Sequence, residues 1–378
     1  MPDLTGDALA QDREILRQSV RSLLERTSSE ADVRRLMETD IGYDEAAWRQ
    51  AATQAGLTGL GIPEELGGSG FGPLELSVVF EEMGRALYCG PFLATVALAA
   101  NVLLHSDDDA AKTEWLPSIA AGETIATLAL TEESSDWDVA SVATTATPAG
   151  DRWRLTGAKW FVLDGQVADL VLVVARTGAG VGVFAVAGDA PGLTREPMVT
   201  MDATRRMARL TLAGVEGRLV GSDTAGDVAV TRALQLAATA LAAEGVGGAQ
   251  RCLEITADYA RERVQFGRPI GSFQAVKHKL ANLLIQVEQA RSASYFAARE
   301  AAQDGADLAM AASLAKAYTA DAFFAAAADT IQLHGGIGFT WEHPAHLYYR
   351  RARSTALLLG EPDQLRDQLA RTLSEEER

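Results

Sequence analysis

One acidic residue and one basic turn are the features of this sequence best placed to carry chemistry. Glu244 is the only charged residue between Arg232 and Arg251, in an Ala-rich stretch with helical periodicity. A helix that is apolar on nearly every side is buried within a bundle, and the neighbours of Glu244 at i±3 and i±4 include no cation. The turn at residues 263–269 follows, and its glycine and proline end the helix. A buried acid beside such a turn suits proton transfer in an apolar slot near an anionic cofactor.

Two interpretations of Glu244 remain open from the residues alone. Burial in an apolar pocket raises the pKa of a carboxyl group, which makes a better base near neutral pH. A lone glutamate in an Ala-rich helix can equally pair with a cation from another helix, because an unpaired buried carboxylate is costly.

The composition is that of a globular protein with more than one subdomain. The chain has 378 residues, of which 48% are hydrophobic, and this favours two or three subdomains. The net charge of −17 argues against a nucleic-acid partner, whose phosphates need a basic surface. No stretch reaches about 18 strongly apolar residues, so we expect no membrane span.

The cysteines, the first residues and the histidines indicate a cytoplasmic protein without a metal. Cys89 and Cys252 are far apart and form no metal-binding spacing, which favours a reducing compartment. The first residues lack the basic and apolar regions of a signal peptide. Among the scattered histidines only His343 and His346 share a helical spacing, and no carboxylate cluster joins them, so we expect no metal site.

Three segments of different periodicity must position these residues. Residues 1–120 have a helical period, interrupted by a Gly-rich loop at residues 61–72. Residues 121–222 contain short β-type runs separated by Gly, Asp and Pro, which predicts a small sandwich or barrel. Residues 223–378 return to the helical period. This order differs from the βαβ alternation of a Rossmann sheet.

Five blocks of sequence, in this order and spacing, resemble the acyl-CoA dehydrogenase family over nearly the whole chain. The most specific block is Arg261-Glu-Arg263-Val-Gln-Phe266-Gly-Arg-Pro-Ile-Gly-Ser-Phe-Gln274. The other blocks lie at residues 56–70, 130–132, 155–165, and 332–340 together with 349–353. Residues 338–352 are most similar to actinobacterial members, some of which act in sterol side-chain breakdown as α2β2 heterotetramers.

The resemblance implies an α+β fold, a cofactor and an activity. We expect an N-terminal helical domain (1–120), a middle β domain (121–222) and a C-terminal four-helix bundle (223–378). FAD accepts the β-hydride of an acyl-CoA while a carboxylate removes the α-proton, which gives the trans-2-enoyl-CoA. The implied partners are an electron-transfer flavoprotein or a similar acceptor, and a homologous subunit in a homo- or heterotetramer.

The resemblance also implies the residues that hold FAD. Arg263 matches the residue that neutralises the pyrophosphate, and Phe266 matches a contact with the adenosine part. Gly335 and Gly336 permit close backbone approach. In the family these groups serve the FAD of the neighbouring subunit. The predicted cofactor-binding residues are Thr131, Phe161, Leu163, Arg263, Gln265, Phe266, Ile270, Phe273, Gln274, Gln332, Gly335 and Gly336.

Around the flavin ring the sequence departs from the family pattern. Thr131 is retained, but residues 133–138, Glu-Ser-Ser-Asp-Trp-Asp, replace the Gly-rich Ser-Asp motif. Phe161 stands in place of the usual aromatic residue, which is often Trp. Leu163 occupies the position of a Ser or Thr that hydrogen-bonds flavin N5, and leucine has no group for that bond.

The position of the catalytic base separates the possible functions. The commonest family position falls on Leu359, with Glu361 two residues later, and the other known position falls on Ala237. Glu244 lies two turns after Ala237, in a neighbourhood where sterol-type relatives place a base. The leading prediction is an acyl-CoA dehydrogenase with Glu244 as the α-proton base. The alternative is a non-catalytic, FAD-cradling subunit of an α2β2 enzyme, and a third interpretation is a member that reacts with oxygen as an oxidase.

Overall fold

The computed structural model describes residues 4–376. Residues 1–3 and 377–378, at the ends of the first and third predicted domains, lie outside the described residues, and so does part of the segment that was compared with a signal peptide. The α-helices are α1 Leu4–Thr27, α2 Glu30–Leu36, α3 Glu45–Thr53, α4 Pro73–Arg85, α5 Ala100–Leu104, α6 Asp109–Ala120, α7 Gly226–Glu262, α8 Gln274–Ala302, α9 Leu308–His334, α10 Ala345–Leu357 and α11 Pro362–Glu376. The strands are β1 Ala126–Ala129, β2 Thr145–Ala149, β3 Arg152–Leu163, β4 Leu170–Arg176, β5 Val181–Ala187, β6 Leu193–Pro197, β7 Met207–Val220, β8 Val264–Gln265 and β9 Arg268–Pro269.

The chain divides into two compact units. The helical unit comprises the described residues up to Val33, Pro73–Tyr88 and the residues from Ala238 onward. The barrel unit comprises Arg34–Gly72 and Cys89–Ala237. Helix α7 belongs to both, because the division falls within it. The order helices, strands, helices is confirmed, whereas the boundaries at residues 120 and 222 stay a prediction.

The barrel unit contains a sheet that closes on itself. Strands β4, β2, β3, β7 and β5 pair in that order, and β5 pairs back with β4. The parallel contact between β2 and β4 is short, with Thr145 opposite Arg176. Strand β1 adds to β4, and β6 adds to β7. Residues 170–175 of β4 are all buried, because both faces of this strand are covered. The prediction of a small sandwich or barrel is confirmed, and the pairing of β5 with β4 makes it a barrel.

Small residues bring the helices of the helical unit close together. A Cβ on Gly84 of α4 would lie 1.9 Å from the carbonyl oxygen of Glu244 in α7, and one on Gly247 would lie 1.7 Å from that of Glu81. The two helices therefore cross in backbone contact, which only glycine permits. Alanines of α7, α8 and α9 form one fully buried cluster, Ala242, Ala297, Ala311 and Ala315. No helix within residues 4–376 is long and apolar enough to cross a bilayer.

Candidate functional site

Glu244 lies in the interior of the helical unit and contacts an arginine of another helix. Its side chain is 5% exposed, and Oε1 accepts a 2.8 Å hydrogen bond from Nη1 of Arg351 in α10. Arg351 is also buried, and its Nη2 donates to the carbonyl oxygen of Tyr88 at 3.0 Å. The cation from another helix, one of the two possibilities left open by the sequence, is therefore present.

The ion pair has consequences for the chemistry available to Glu244. A guanidinium at hydrogen-bond distance compensates the cost of burying a carboxylate, so Glu244 would have to leave Arg351 to act as a general base. Breaking a buried pair by removing one partner costs about 3–5 kcal/mol. The pair also joins α7 and α10 to the residues that follow α4, since Tyr88 lies three positions after Arg85. The geometry thus gives Glu244 a structural role, and its role as a base stays a prediction.

The other candidate base positions hold no buried acid. Leu359 is half-buried and has a φ of +58°, and Ala237 is fully buried in α7. Glu361 is exposed, and its backbone N–H donates to the side-chain oxygen of Gln364 at 3.0 Å as α11 begins. Lys316 of α9, which is buried, supports the turn before Glu361.

Lys316 donates from Nζ to the carbonyl oxygen of Ala356 at 2.8 Å and to that of Gly360. Burial lowers the pKa of Lys316 to about 7, although Glu361 and Asp321 oppose this shift. Both of these hydrogen bonds run to backbone carbonyls at the end of α10 and in the turn after it. The turn that contains Leu359 is therefore held by a buried amine within the helical unit.

The turn that follows α7 presents its side chains to solvent. Arg263 is exposed, and its carbonyl oxygen accepts a 2.8 Å hydrogen bond from the Ile270 N–H. Phe266 is 92% exposed, at a φ of +56° between β8 and β9. Its ring meets that of Phe273 edge-on at 6.1 Å, and the Arg268 guanidinium lies 4.1 Å from the Phe273 centroid. These contacts stiffen the turn while leaving Arg263 accessible.

Two further predicted residues, Gln265 and Gln274, lie in the same segment. Gln265 is exposed, and its side-chain amide donates to the carbonyl oxygen of Val264 at 3.0 Å. Gln274 is exposed and begins α8. Their polar groups therefore face outward, where a molecule docked on this turn would meet them.

The end of α9 offers open backbone. Gln332, Gly335 and Gly336 are exposed, and Gly335 ends the helix with a φ of +63°. A Cβ on Gly335 or Gly336 would meet no atom within 4 Å. Accessible backbone and an exposed guanidinium are the groups that a diphosphate needs. The residues of the helical unit therefore fit the diphosphate half of FAD, and their assignment to it stays a prediction.

The predicted flavin-ring residues lie in the barrel unit. Thr131 is buried, and its hydroxyl donates to the carbonyl oxygen of Trp160. Phe161 is half-buried with a φ of +55°, at an irregularity in the pairing of β3 with β7. Leu163 is 2% exposed. The Thr131 hydroxyl is thus engaged by the backbone, and Leu163 has no donor to give flavin N5.

An ion pair that the sequence analysis missed supports this region. Glu132 accepts hydrogen bonds from Nζ of Lys159 at 2.9 Å, from the Thr144 N–H at 2.8 Å and from the Ala143 N–H. Burial would raise the pKa of Glu132, but its bonds to Thr144 and Lys159 outweigh that effect and lower it. Burial lowers the pKa of Lys159 to about 8 against the influence of Glu132. Opposite charges in two otherwise apolar β-type blocks were the signal for this pair.

Comparisons with known proteins identify the family. Three family models match in order: "Acyl-CoA dehydrogenase, N-terminal domain" at residues 10–123, "middle domain" at 127–215 and "C-terminal domain" at 225–374. The chain is 36% identical to "Acyl-CoA dehydrogenase IpdE2" of Mycobacterium tuberculosis over 355 residues, which cover 93% of this chain and 94% of that protein.

Two solved structures are similar over almost their whole length. A single-residue variant of the "Tcur3481-Tcur3483 steroid ACAD" has 35% identity and a TM-score of 0.89, and the match covers 97% of this chain and 99% of that chain. The "ChsE4-ChsE5 complex from Mycobacterium tuberculosis" has 32% identity and a TM-score of 0.87, with 96% and 97% covered. The predicted family is confirmed. The chain belongs to the acyl-CoA dehydrogenase family, whose members are FAD-dependent oxidoreductases acting on the CH–CH group of acyl-CoA thioesters.

Proposed function

We propose that this chain is the FAD-cradling, non-catalytic subunit of a heteromeric acyl-CoA dehydrogenase. The observation that carries the proposal is the buried ion pair between Glu244 and Arg351. It engages the acid of α7 that was best placed to remove the α-proton. A homologous partner subunit would then supply the base.

The other base positions support the same conclusion. Leu359 and Ala237, at the two family positions, have no ionisable group. Glu361 is exposed and lies immediately before α11. A base for an α-proton needs an apolar environment and a fixed position. Glu361, the one acid among these three positions, is exposed and therefore lacks the apolar environment.

The flavin-ring residues of this chain also support the proposal that the partner subunit binds the flavin ring. Leu163 replaces a hydrogen-bonding residue, and the Thr131 hydroxyl is bound to a backbone carbonyl. The cradle half, by contrast, retains Arg263 and the open backbone of Gly335 and Gly336. Since the family uses the cradle for the FAD of a neighbouring subunit, this chain would complete a site whose ring-binding half lies in the partner.

In the complete enzyme, bound FAD would be the acceptor of the β-hydride of the acyl-CoA. The residues of this chain would act on the diphosphate end, where Arg263 neutralises charge and the backbone at Gly335 and Gly336 approaches closely. Fixing the diphosphate end would keep the cofactor correctly positioned relative to the substrate. The contribution of this chain is therefore orientation.

We further propose an α2β2 assembly, a steroid-derived acyl-CoA as substrate and an electron-transfer flavoprotein as acceptor. Two similar structures are named as pairs of chains, and one of them is described as a steroid enzyme. A further solved structure, 27% identical with a TM-score of 0.90, is described with an electron-transferring flavoprotein.

The second candidate function is an active enzyme in which Glu244 is the base. The observation that favours it is the burial of this carboxylate in the helix that contains one known base position of the family. For proton transfer, Glu244 would have to leave Arg351 when the substrate enters. The oxidase interpretation has no specific observation in its favour.

A flavin count separates these functions. The chain is purified alone and together with a co-encoded homologue, and FAD is measured per chain by absorbance after denaturation. We expect a colourless chain alone and one FAD for every pair of unlike chains in the complex. A yellow homo-oligomer that oxidises acyl-CoA would contradict the subunit role and support Glu244 as the base.

A further inference from the structure

Three aromatic rings contact one another in a row at the end of the helical unit, here called the stack, in which Tyr259 and His334 are stacked and His334 and His343 are tilted by 43°. The ring of His334 lies 4.3 Å from that of Tyr259, with an interplanar angle of 26°, and 4.2 Å from that of His343. His334 is buried, and the two outer rings are half-buried. Each ring comes from a different segment: the last turn of α7, the last residue of α9 and the residues before α10. The stack thus joins three chain segments at one point.

Hydrogen bonds fix the orientation of each ring. Nδ1 of His334 donates to the carbonyl oxygen of Thr330 at 2.7 Å. The Tyr259 hydroxyl donates to the carbonyl oxygen of His334 at 3.3 Å. Nδ1 of His343 accepts the N–H of Ala345 at 3.2 Å, where α10 begins. Burial lowers the pKa of His334 despite its bond to Thr330.

Two rings of the stack lie just before the two predicted cradle segments in the chain, which are the Arg263 turn and the glycines that follow α9. Arg263 lies four positions after Tyr259, and its N–H donates to the Tyr259 backbone carbonyl oxygen at 2.8 Å in the last turn of α7. Gly335 follows the central ring in the chain. A Cβ on Gly338 would lie 2.9 Å from the Cβ of His334, so the glycine turn packs against the base of that side chain. The contact of Tyr259 with His334 therefore links the residues from which the two segments start.

We propose that Tyr259, His334 and His343 are positioning residues that set the distance between the Arg263 turn and the open backbone of Gly335 and Gly336. The ligand that this spacing serves is a dinucleotide diphosphate. This inference rests on the proposed function, in which these segments cradle FAD. Glycine backbone loses much conformational entropy when it is ordered. A rigid support already in place lowers that cost at the moment of binding.

The physical reason for rings at this point is their rigidity. An aromatic side chain has two rotatable bonds, and a stacked pair gains stability beyond the burial of its area. Neither outer ring nor the central ring is among the residues expected to touch FAD. The rings would affect the cofactor only through the geometry of the two segments. The affinity for FAD should therefore depend on whether a flat ring is present at position 334.

The test measures FAD affinity in the complex with the co-encoded homologue. Apo-complexes carrying His334→Ala, His334→Phe or Tyr295→Ala are titrated with FAD by fluorescence, and their melting temperatures are recorded. Tyr295 is an exposed aromatic residue of α8 outside the stack. We expect His334→Ala to raise the Kd for FAD on the order of tenfold. His334→Phe, which keeps a flat ring, should restore most of the affinity, and Tyr295→Ala should bind as the parent does.

Arg263→Gln separates failure of the inference from failure of the proposed function. If Arg263→Gln weakens FAD binding while His334→Ala does not, the stack is not a positioning device. If Arg263→Gln also leaves the affinity unchanged, the cradle assignment and the inference are both overturned. A lower melting temperature with an unchanged Kd in His334→Ala would likewise overturn the inference. If His334→Ala fails to assemble, Tyr259→Leu removes an outer ring and is judged by the same change in Kd.

Discussion

At the scale of single residues, the role of a buried acid depends on the group that it contacts. Glu244 has the burial expected of a base, but the guanidinium of Arg351 meets it at 2.8 Å. Its partner lies 107 positions away in the sequence, beyond the reach of any periodicity. The sequence could therefore predict that Glu244 is buried, yet it could not decide between proton transfer and pairing.

The same limit applies to Lys159 and Glu132. Both stand in blocks that carry the family resemblance, and their 2.9 Å contact links positions 27 apart in the chain. The assignment of Arg263 and Gly335 to the FAD cradle stays a prediction, and it could be made because both lie within contiguous motifs. Local motifs thus revealed groups that face solvent, while the paired interior charges needed the fold.

Lys316 gives a pH-dependent prediction at this scale. Its pKa in the folded protein is about 7, because burial disfavours the charged amine, whereas an unfolded lysine titrates near about 10.4. Between these values the unfolded state binds more protons, so the free energy of unfolding rises with pH. We expect the stability of the parent relative to Lys316→Met to increase from about pH 7 to about pH 9.

Denaturant unfolding of the purified parent and variant at both pH values checks this expectation. The methionine variant keeps the length and apolar stem of lysine but cannot titrate, so it is the matched reference. A stability difference that stays constant, or that shrinks as the pH rises, would contradict the assignment of a depressed pKa to Lys316.

At the scale of elements, glycines determine how closely the helices approach. The predicted order of helices, strands and helices followed from the change of period along the chain, and it is confirmed. The closure of the sheet was beyond the strand pattern, because the pairing of β5 with both β4 and β7 is made between distant segments. The close approach of α4 to the glycines of α7 was also beyond the pattern, since periodicity carries no information about what crosses a helix.

Gly247→Ala tests the crossing of α4 and α7. The new Cβ would lie 1.7 Å from the carbonyl oxygen of Glu81, so the helices must move apart. We expect a loss of about 1–3 kcal/mol in the free energy of unfolding, despite the better helix propensity of alanine. Gly178→Ala is the control, because a Cβ there meets no atom within 4 Å. Equal stability of the two variants in urea unfolding would show that the helices do not cross in contact.

At the scale of the whole molecule, the exposed cradle indicates a partner. Phe266 and Phe339 are 92% and 87% exposed, and both belong to the blocks that the family uses at a neighbouring subunit. Large exposed aromatic residues that stand close to functional motifs are typical of interaction surfaces. A homologous partner subunit stays a prediction from the family resemblance, and the sequence does not distinguish which chain supplies the base.

The most direct test of the central claim removes the ion pair without leaving a buried charge. Glu244→Met/Arg351→Met replaces both groups by apolar side chains of similar length, an exchange that folded proteins often tolerate. The variant is assembled with the co-encoded homologue, and turnover of acyl-CoA is measured with FAD bound. We predict a kcat within about threefold of the parent, because less than about 1 kcal/mol of transition-state stabilisation would be lost. A folded, FAD-loaded complex with turnover reduced by several orders of magnitude would identify Glu244 as the base and contradict the account.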